Sequence, residues 1–212
     1  MRHNSVVRFQ FPFGVVTPTT DGDVLAVLAA SRSEYTVGQL NALIPSRSHN
    51  GIRKVVERLA EQGIVVTREI GRTRSYALND EHLLADALRE IADARRLLLV
   101  RLGSAVEAWT EPPLLGVLFG SAARGDMRLD SDLDLLLVRR TGTGDDEWES
   151  AAAELTTRAS LWTGNDARIV DLDEEDLRST AHRPLLESVA REGLTFFGDP
   201  AVISRAVAGQ HT

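Results

Sequence analysis

The sequence predicts an α+β protein built in two parts. Three observations predict it. Between Asp21 and Gln62, short segments carry apolar residues at helical spacing, and two β-rich runs follow around a Gly71-Arg72-Thr73 turn. From Leu114 onward, apolar runs of strand length alternate with helical patterns. The charge divides at the same place: residues 1–80 sum to +3 and residues 81–212 to −10. Opposite signs in the two halves point to different partners for each.

The elements follow in order. VVRFQFPFGVV, Val6 to Val16, alternates and is rich in Val and Phe, so it is expected as a strand, with Pro12 confining it to an edge. Asp21–Ala30 is expected as a helix, capped by Thr20 or Asp21, with Val24, Leu25 and Leu28 as its apolar stripe. A second helix runs from Thr36 until Pro45 stops it. A third covers about His49–Gln62, with Ser48 as cap, Ile52, Val55, Val56 and Leu59 as stripe, and Gly63 as terminator. IVVTREI and RSYALN then form a hairpin. Three helices and a hairpin in about 60 residues are the plan of a winged helix-turn-helix, placed at residues 1–80 together with the N-terminal strand. Glu81–Trp109 reads as one long linker helix ending at Pro112-Pro113. The second domain, residues 110–200, offers strand LLGVLF, strand DLLLV, helix Glu147–Trp162, strand ARIVDL, a helix around Pro184–Arg191 and strand LTFF. Residues 201–212 are expected as a C-terminal tail.

Composition excludes some functions. There is no cysteine, so disulfides and thiolate metal sites are out. No apolar run approaches the roughly 18 residues of a membrane span, and MRHNSVVRFQFPFG has no apolar core of a secretory signal. A cytoplasmic protein is the expectation. No two of the five histidines share ligand spacing.

The chemistry concentrates in FGSAARGDMRLDSDLDLLLV, Phe119 to Val138. Side chains alternate along a strand, so Asp132 and Asp134 share a face. Two neighbouring carboxylates beside an apolar run repel one another, and a divalent cation removes that penalty. Upstream, Gly120-Ser121 forms a small-residue turn whose N–H groups and hydroxyl suit an anion, and Arg124 can pair with a phosphate. DSDLD alone would pass for a turn at a strand start. The preceding strand and Gly-Ser turn make a nucleotide and metal site the better reading.

These residues carry a resemblance. Gly120-Ser121, ten residues, then Asp132-x-Asp134, with Arg124-Gly125 between, is similar to the signature of the minimal nucleotidyltransferase (DNA polymerase β-like) superfamily. The motif is 15 residues long, and the order of elements extends the match to about Leu114–Asp199. The resemblance implies a mixed sheet with helices on one side, an NTP substrate and Mg²⁺ at Asp132 and Asp134, in a two-metal site where the ions lie about 3.5–4 Å apart. It also implies a third acid on the next core strand. Asp171 is the first candidate, Asp166 the second, and no third acid the remaining option, because Arg168 stands where many relatives carry aspartate. Asp166 and Asp171 are five apart and cannot share a face.

The first part is basic where a DNA reader would be. Pro45–Ser75 holds seven Lys and Arg against three Glu. Arg47, Ser48, His49, Asn50, Arg53 and Lys54 lie at the front of the third helix, where helix-turn-helix proteins reach base edges, and Arg72 and Arg74 lie at the hairpin. The expectation is transfer of NMP from an NTP to an acceptor hydroxyl, coupled to DNA binding. The acceptor class is open: a protein side chain, as when an antitoxin nucleotidylates its toxin, an RNA end, or a small molecule. The alternative is a DNA-binding regulator whose second domain only binds nucleotide or metal. Surplus apolar surface on Glu81–Trp109 points to a possible homodimer seam.

Overall fold

The structure, a computed structural model, describes residues 7–209. The chain forms two compact units, one of Phe11–Ala94 and one of residues 1–10 with 95–212.

In the first unit, α1 (Thr20–Ala30), β1 (Tyr35–Thr36), α2 (Val37–Leu43) and α3 (His49–Glu61) precede β2 (Val65–Ile70) and β3 (Thr73–Leu78). α2 starts at a full capping box: Thr36 Oγ1 accepts from the Gln39 N–H, and Gln39 Oε1 accepts from the Thr36 N–H. α3 starts where the Ser48 hydroxyl accepts from the Gly51 N–H at 3.1 Å. α1 is preceded by Thr19, and neither Thr20 nor Asp21 caps it. The three strands form an antiparallel sheet in the order β1-β3-β2. Val24, Leu28, Leu40, Ile52 and Val56 are fully buried in the core between helices and sheet.

Three expectations fail here. Among the described residues 7–16 no strand forms where one is expected. Val6 lies outside the described residues, and Pro12–Val15 is a 3-10 turn closed by Gly14 N–H to Phe11 O and Val16 N–H to Phe13 O. Pro12 has no N–H to give to a ladder, and local turns take its place. Residues 7–10 belong to the other unit, where the Val7 N–H donates to Thr163 O at 3.0 Å and Gln10 Nε2 to Met127 O at 2.6 Å. The single linker helix is two helices, α4 (Ala85–Ala92) and α5 (Ala94–Glu107). At Asp93 (φ −93°, ψ 16°) the N–H is shared between Arg89 O and Glu90 O, which ends the first helix. Leu83, inside the expected linker helix, precedes α4 and is 93 % exposed.

In the second unit, β4 (Leu115–Phe119) runs into one helical turn, α6 (Gly120–Arg124). β5 (Leu133–Arg139), α7 (Asp145–Thr163), β6 (Ala167–Asp173), α8 (Arg183–Glu192), β7 (Leu194–Gly198) and α9 (Ala201–Gly209) follow. The expected tail is therefore helical, and Ile203 anchors it in the core. The sheet is mixed, order β6-β5-β4-β7, with β5 and β6 parallel and the other pairs antiparallel. Leu115, Val117, Leu136, Val138 and Leu172 pack against Leu186 and Val189 of α8 and Ile203 of α9. The alternating residues Leu118, Leu135 and Leu137 are equally buried on the other face. Leu133 and Leu135–Val138 have no exposed surface, and each such side chain stabilises the fold by roughly 1.5–3 kcal/mol. The central strand is thus a rigid mount for whatever lies at its start. Among the described residues no helix is long and apolar enough to cross a membrane.

Candidate functional site

The start of β5 and the end of β4 meet because the strands are antiparallel neighbours, with Phe119 opposite Asp134. Directly after Phe119 the chain turns through Gly120 at φ +69°. A β-carbon there would lie 2.5 Å from Asp134 Oδ2. Only glycine satisfies both the left-handed backbone and this approach. α6 closes at Gly125, also left-handed (φ +79°), whose N–H reaches Ser121 O at 2.9 Å. Arg95 of α5 donates to Ala123 O at 3.0 Å and fixes the turn from behind. The Ser121 hydroxyl makes no hydrogen bond to another described residue. The Gly120-Ser121 turn sits directly on Asp134.

Asp132 and Asp134 are brought together. Burial, and then the charge of Asp132, push the Asp134 carboxyl above the ordinary carboxylate range, while Arg168 and Arg124 oppose the shift. Arg168 belongs to the same cluster. The parallel register sets it beside Asp134 on β6, and its Nη1 lies 2.7 Å from Asp132 Oδ2. Asp166 precedes β6 with the same alternation, its carbonyl accepting the Leu133 N–H at 2.9 Å and its carboxylate lying 3.7 Å from Arg168 Nη2.

Asp171 is not part of this cluster. It pairs with Leu137, three positions along from the Asp134–Arg168 pair, so it projects from the opposite face of the sheet. There it lies 3.9 Å from Arg139 Nε. Burial raises its carboxyl, with Trp148 and Arg139 pulling the other way. The buried Trp148 indole nitrogen makes no hydrogen bond of normal geometry, although it is near enough to favour the Asp171 carboxylate. Strand parity sets Asp171, the first candidate for a third acid, on the face opposite Arg168 and Asp134. Among the described residues no three acids or histidines converge as a metal cage.

Arg124 is engaged elsewhere than expected. Its Nε lies 3.1 Å from Asp126 and its Nη1 2.9 Å from Glu192 on α8, which also accepts from the Ser188 hydroxyl at 2.7 Å. Glu192 is 68 residues away in sequence, and nothing in the local pattern announces it.

The expected DNA-reading residues are split in the same way. Arg47 is tied back to α1 by Asp23 at 2.6 Å, which removes it from the front of α3. The Ser48 hydroxyl is spent on the helix cap. Arg53 donates to Asn50 at 2.9 Å and faces Glu57 at 3.5 Å, and Arg74 pairs with Glu69 at 2.8 Å. His49, Lys54 and Arg72 are exposed and make no ion pair with another described residue.

Several solved structures resemble the chain at low identity. A toxin–antitoxin MntA-HpeT mutant is 18 % identical over 53 % of this chain and 83 % of its own, with a TM-score of 0.41. A tri-AMPylated Shewanella oneidensis HEPN toxin in complex with MNT antitoxin gives 19 %, 55 % and 83 %, with a TM-score of 0.38. A putative nucleotidyltransferase from Sulfolobus solfataricus gives 17 %, 50 % and 85 %, with a TM-score of 0.28. No curated protein matches the chain. Residues 107–175, from the end of α5 through the Gly120-Ser121 turn and the Asp132/Asp134 strand to β6, match the family model of the Nucleotidyltransferase domain.

Proposed function

We propose that this protein transfers a nucleoside monophosphate from an NTP to an acceptor hydroxyl and releases pyrophosphate. The observation that carries the reading is the seating of Gly120 on Asp134, which holds an anion-ready turn against a carboxylate pair. The residues fit a divalent cation. Asp134 is half-buried, repelled by Asp132, and only Asp132 has a guanidinium in contact. One Mg²⁺ takes one or two carboxylates and leaves positions for phosphate oxygens. Asp132 and Asp134 would hold it, and when bound it supplies positive charge to the polyphosphate.

The chain's own residues do the rest. The backbone N–H groups of the Gly120-Ser121 turn and the Ser121 hydroxyl receive the polyphosphate. Arg124 exchanges part of its contact with Asp126 and Glu192 for a phosphate oxygen. The acceptor oxygen attacks the α-phosphorus and the α–β bridge breaks, with pyrophosphate leaving. Asp166, on the same side as Asp132 and largely exposed, takes the acceptor's proton. The test is incubation with each α-labelled NTP, Mg²⁺ and candidate acceptors (a partner protein, an RNA end or an aminoglycoside). Label should transfer for the wild type and not for Asp132→Asn/Asp134→Asn. Transfer that survives the double change would overturn the site. Asp166→Asn should lower kcat at least tenfold and leave the KM for NTP near the wild-type value.

A second reading is favoured by the first unit. Three helices, then a hairpin paired as β1-β3-β2, support a winged helix, and α3 presents exposed His49, Asn50, Arg53 and Lys54. On this reading the protein is a DNA-binding regulator and the second unit senses nucleotide. Operator binding that responds to NTP, with no label transfer to any acceptor, would select it.

A further inference from the structure

We propose that Arg168 stands in for a second metal ion, so that the Asp132/Asp134 site takes one divalent cation per chain and the guanidinium supplies the remaining positive charge to the polyphosphate. This rests on the nucleotide reading above and deepens it.

Three observations carry it. The parallel β5–β6 register fixes the Arg168 backbone beside Asp134, within side-chain reach of the carboxylate cluster. Its Nη1 holds Asp132 Oδ2 at 2.7 Å, and its Nη2 lies 3.7 Å from Asp166. The charge is permanent, because arginine does not deprotonate in proteins. Among the described residues no third acid joins Asp132 and Asp134 as a metal cage, and Asp171 lies across the sheet. A second divalent ion would meet a fixed positive charge, and the one further carboxylate beside the cluster among the described residues, Asp166, already faces that guanidinium. One ion has both carboxylates to itself, and Asp134 has no guanidinium in ion-pair contact among the described residues.

The arrangement assigns Arg168 a task. A guanidinium has five N–H donors in a rigid fork, and contacts with Asp132 and Asp166 leave some of them directed outward. The side chain is 62 % exposed, so a phosphate oxygen can reach them. Arg168 thus binds nucleotide with a part of the affinity that does not depend on metal.

The experiment titrates the full-length chain with Mn²⁺, reading free ion by electron paramagnetic resonance, in the presence of saturating α,β-methylene-ATP and against an analogue-only control. The wild type should bind one Mn²⁺ per chain beyond the control, and Asp132→Asn/Asp134→Asn none. Arg168→Asp, which adds an acid and removes the guanidinium, should bind two. Arg168→Gln should tighten Mn²⁺ binding and weaken analogue binding in EDTA, each by roughly tenfold. Two ions per wild-type chain would overturn the proposal and leave the nucleotide site standing. So would an Arg168→Gln variant whose analogue affinity in EDTA equals that of the wild type. A wild type that binds neither Mn²⁺ nor the analogue would sink the nucleotide reading and this inference with it.

Discussion

At Gly120 the backbone is left-handed and a β-carbon would lie 2.5 Å from Asp134 Oδ2. Gly120→Ala must therefore strain the turn and push the carboxylate aside. The stability cost should be about 1 kcal/mol, because a side-chain carboxylate can rotate away. The functional cost should be larger, since the rotated Asp134 no longer faces the turn: nucleotide affinity should fall at least tenfold at nearly unchanged Tm. A calorimetric titration beside a thermal melt would show the difference. Asp171 makes the opposite case. Burial raises its carboxyl above the unfolded value, so the folded state binds the proton more tightly. Its contribution favours folding below the unfolded pKa and is lost as pH rises from there through the folded pKa. Asp171→Asn removes that loss. The variant should melt at or above the wild-type temperature at neutral pH and transfer label within about twofold of it. A collapse of activity in a well-folded Asp171→Asn protein would restore Asp171 to the site.

At the scale of elements, what was legible depended on how local its cause was. The helix starts at Thr36 and Ser48, the Gly71 hairpin and the strand pair around Gly120-Ser121 and Asp132-x-Asp134 are written in neighbouring residues, and the structure forms all of them. The break at Asp93 was hidden because the apolar spacing runs through it, and only the doubled acceptor of one N–H reveals it. The placing of Asp171 relative to Asp134 was not legible because register decides which face of β6 a residue takes, and register is set by β5 rather than by β6 itself. The Arg47–Asp23 and Arg124–Glu192 pairs join positions far apart in sequence, so local pattern could not separate reading residues from structural ones. The Ser48 cap allows a direct check. Ser48→Ala should destabilise α3 by about 1 kcal/mol through its lost bond to the Gly51 N–H. The loss should appear as a lower midpoint in urea unfolding of the first unit, with nucleotide binding by the second unchanged.

At the scale of the whole molecule, the question is whether the two units read two different polyanions. The local charge suits this, because Pro45–Ser75 of the first unit holds seven Lys and Arg against three Glu, whereas residues 81–212 sum to −10 and would repel a duplex. His49, Lys54 and Arg72 make no ion pair with another described residue, whereas Arg47 and Arg74 already hold acids at 2.6 Å and 2.8 Å. Phosphate contacts release condensed counterions, and each lost contact reduces the slope of log affinity against log salt by about 1. Lys54→Ala/Arg72→Ala should therefore lower DNA affinity and flatten that slope by about 2, while Arg47→Ala should leave the slope unchanged and cost stability instead. Fluorescence anisotropy with labelled duplex between low and physiological salt would measure both. The Asp132→Asn/Asp134→Asn protein should bind the same duplex with the wild-type slope, because its lost charges serve a different ligand. If the Lys54/Arg72 change leaves both affinity and slope untouched, the first unit does not grip DNA through α3 and the hairpin.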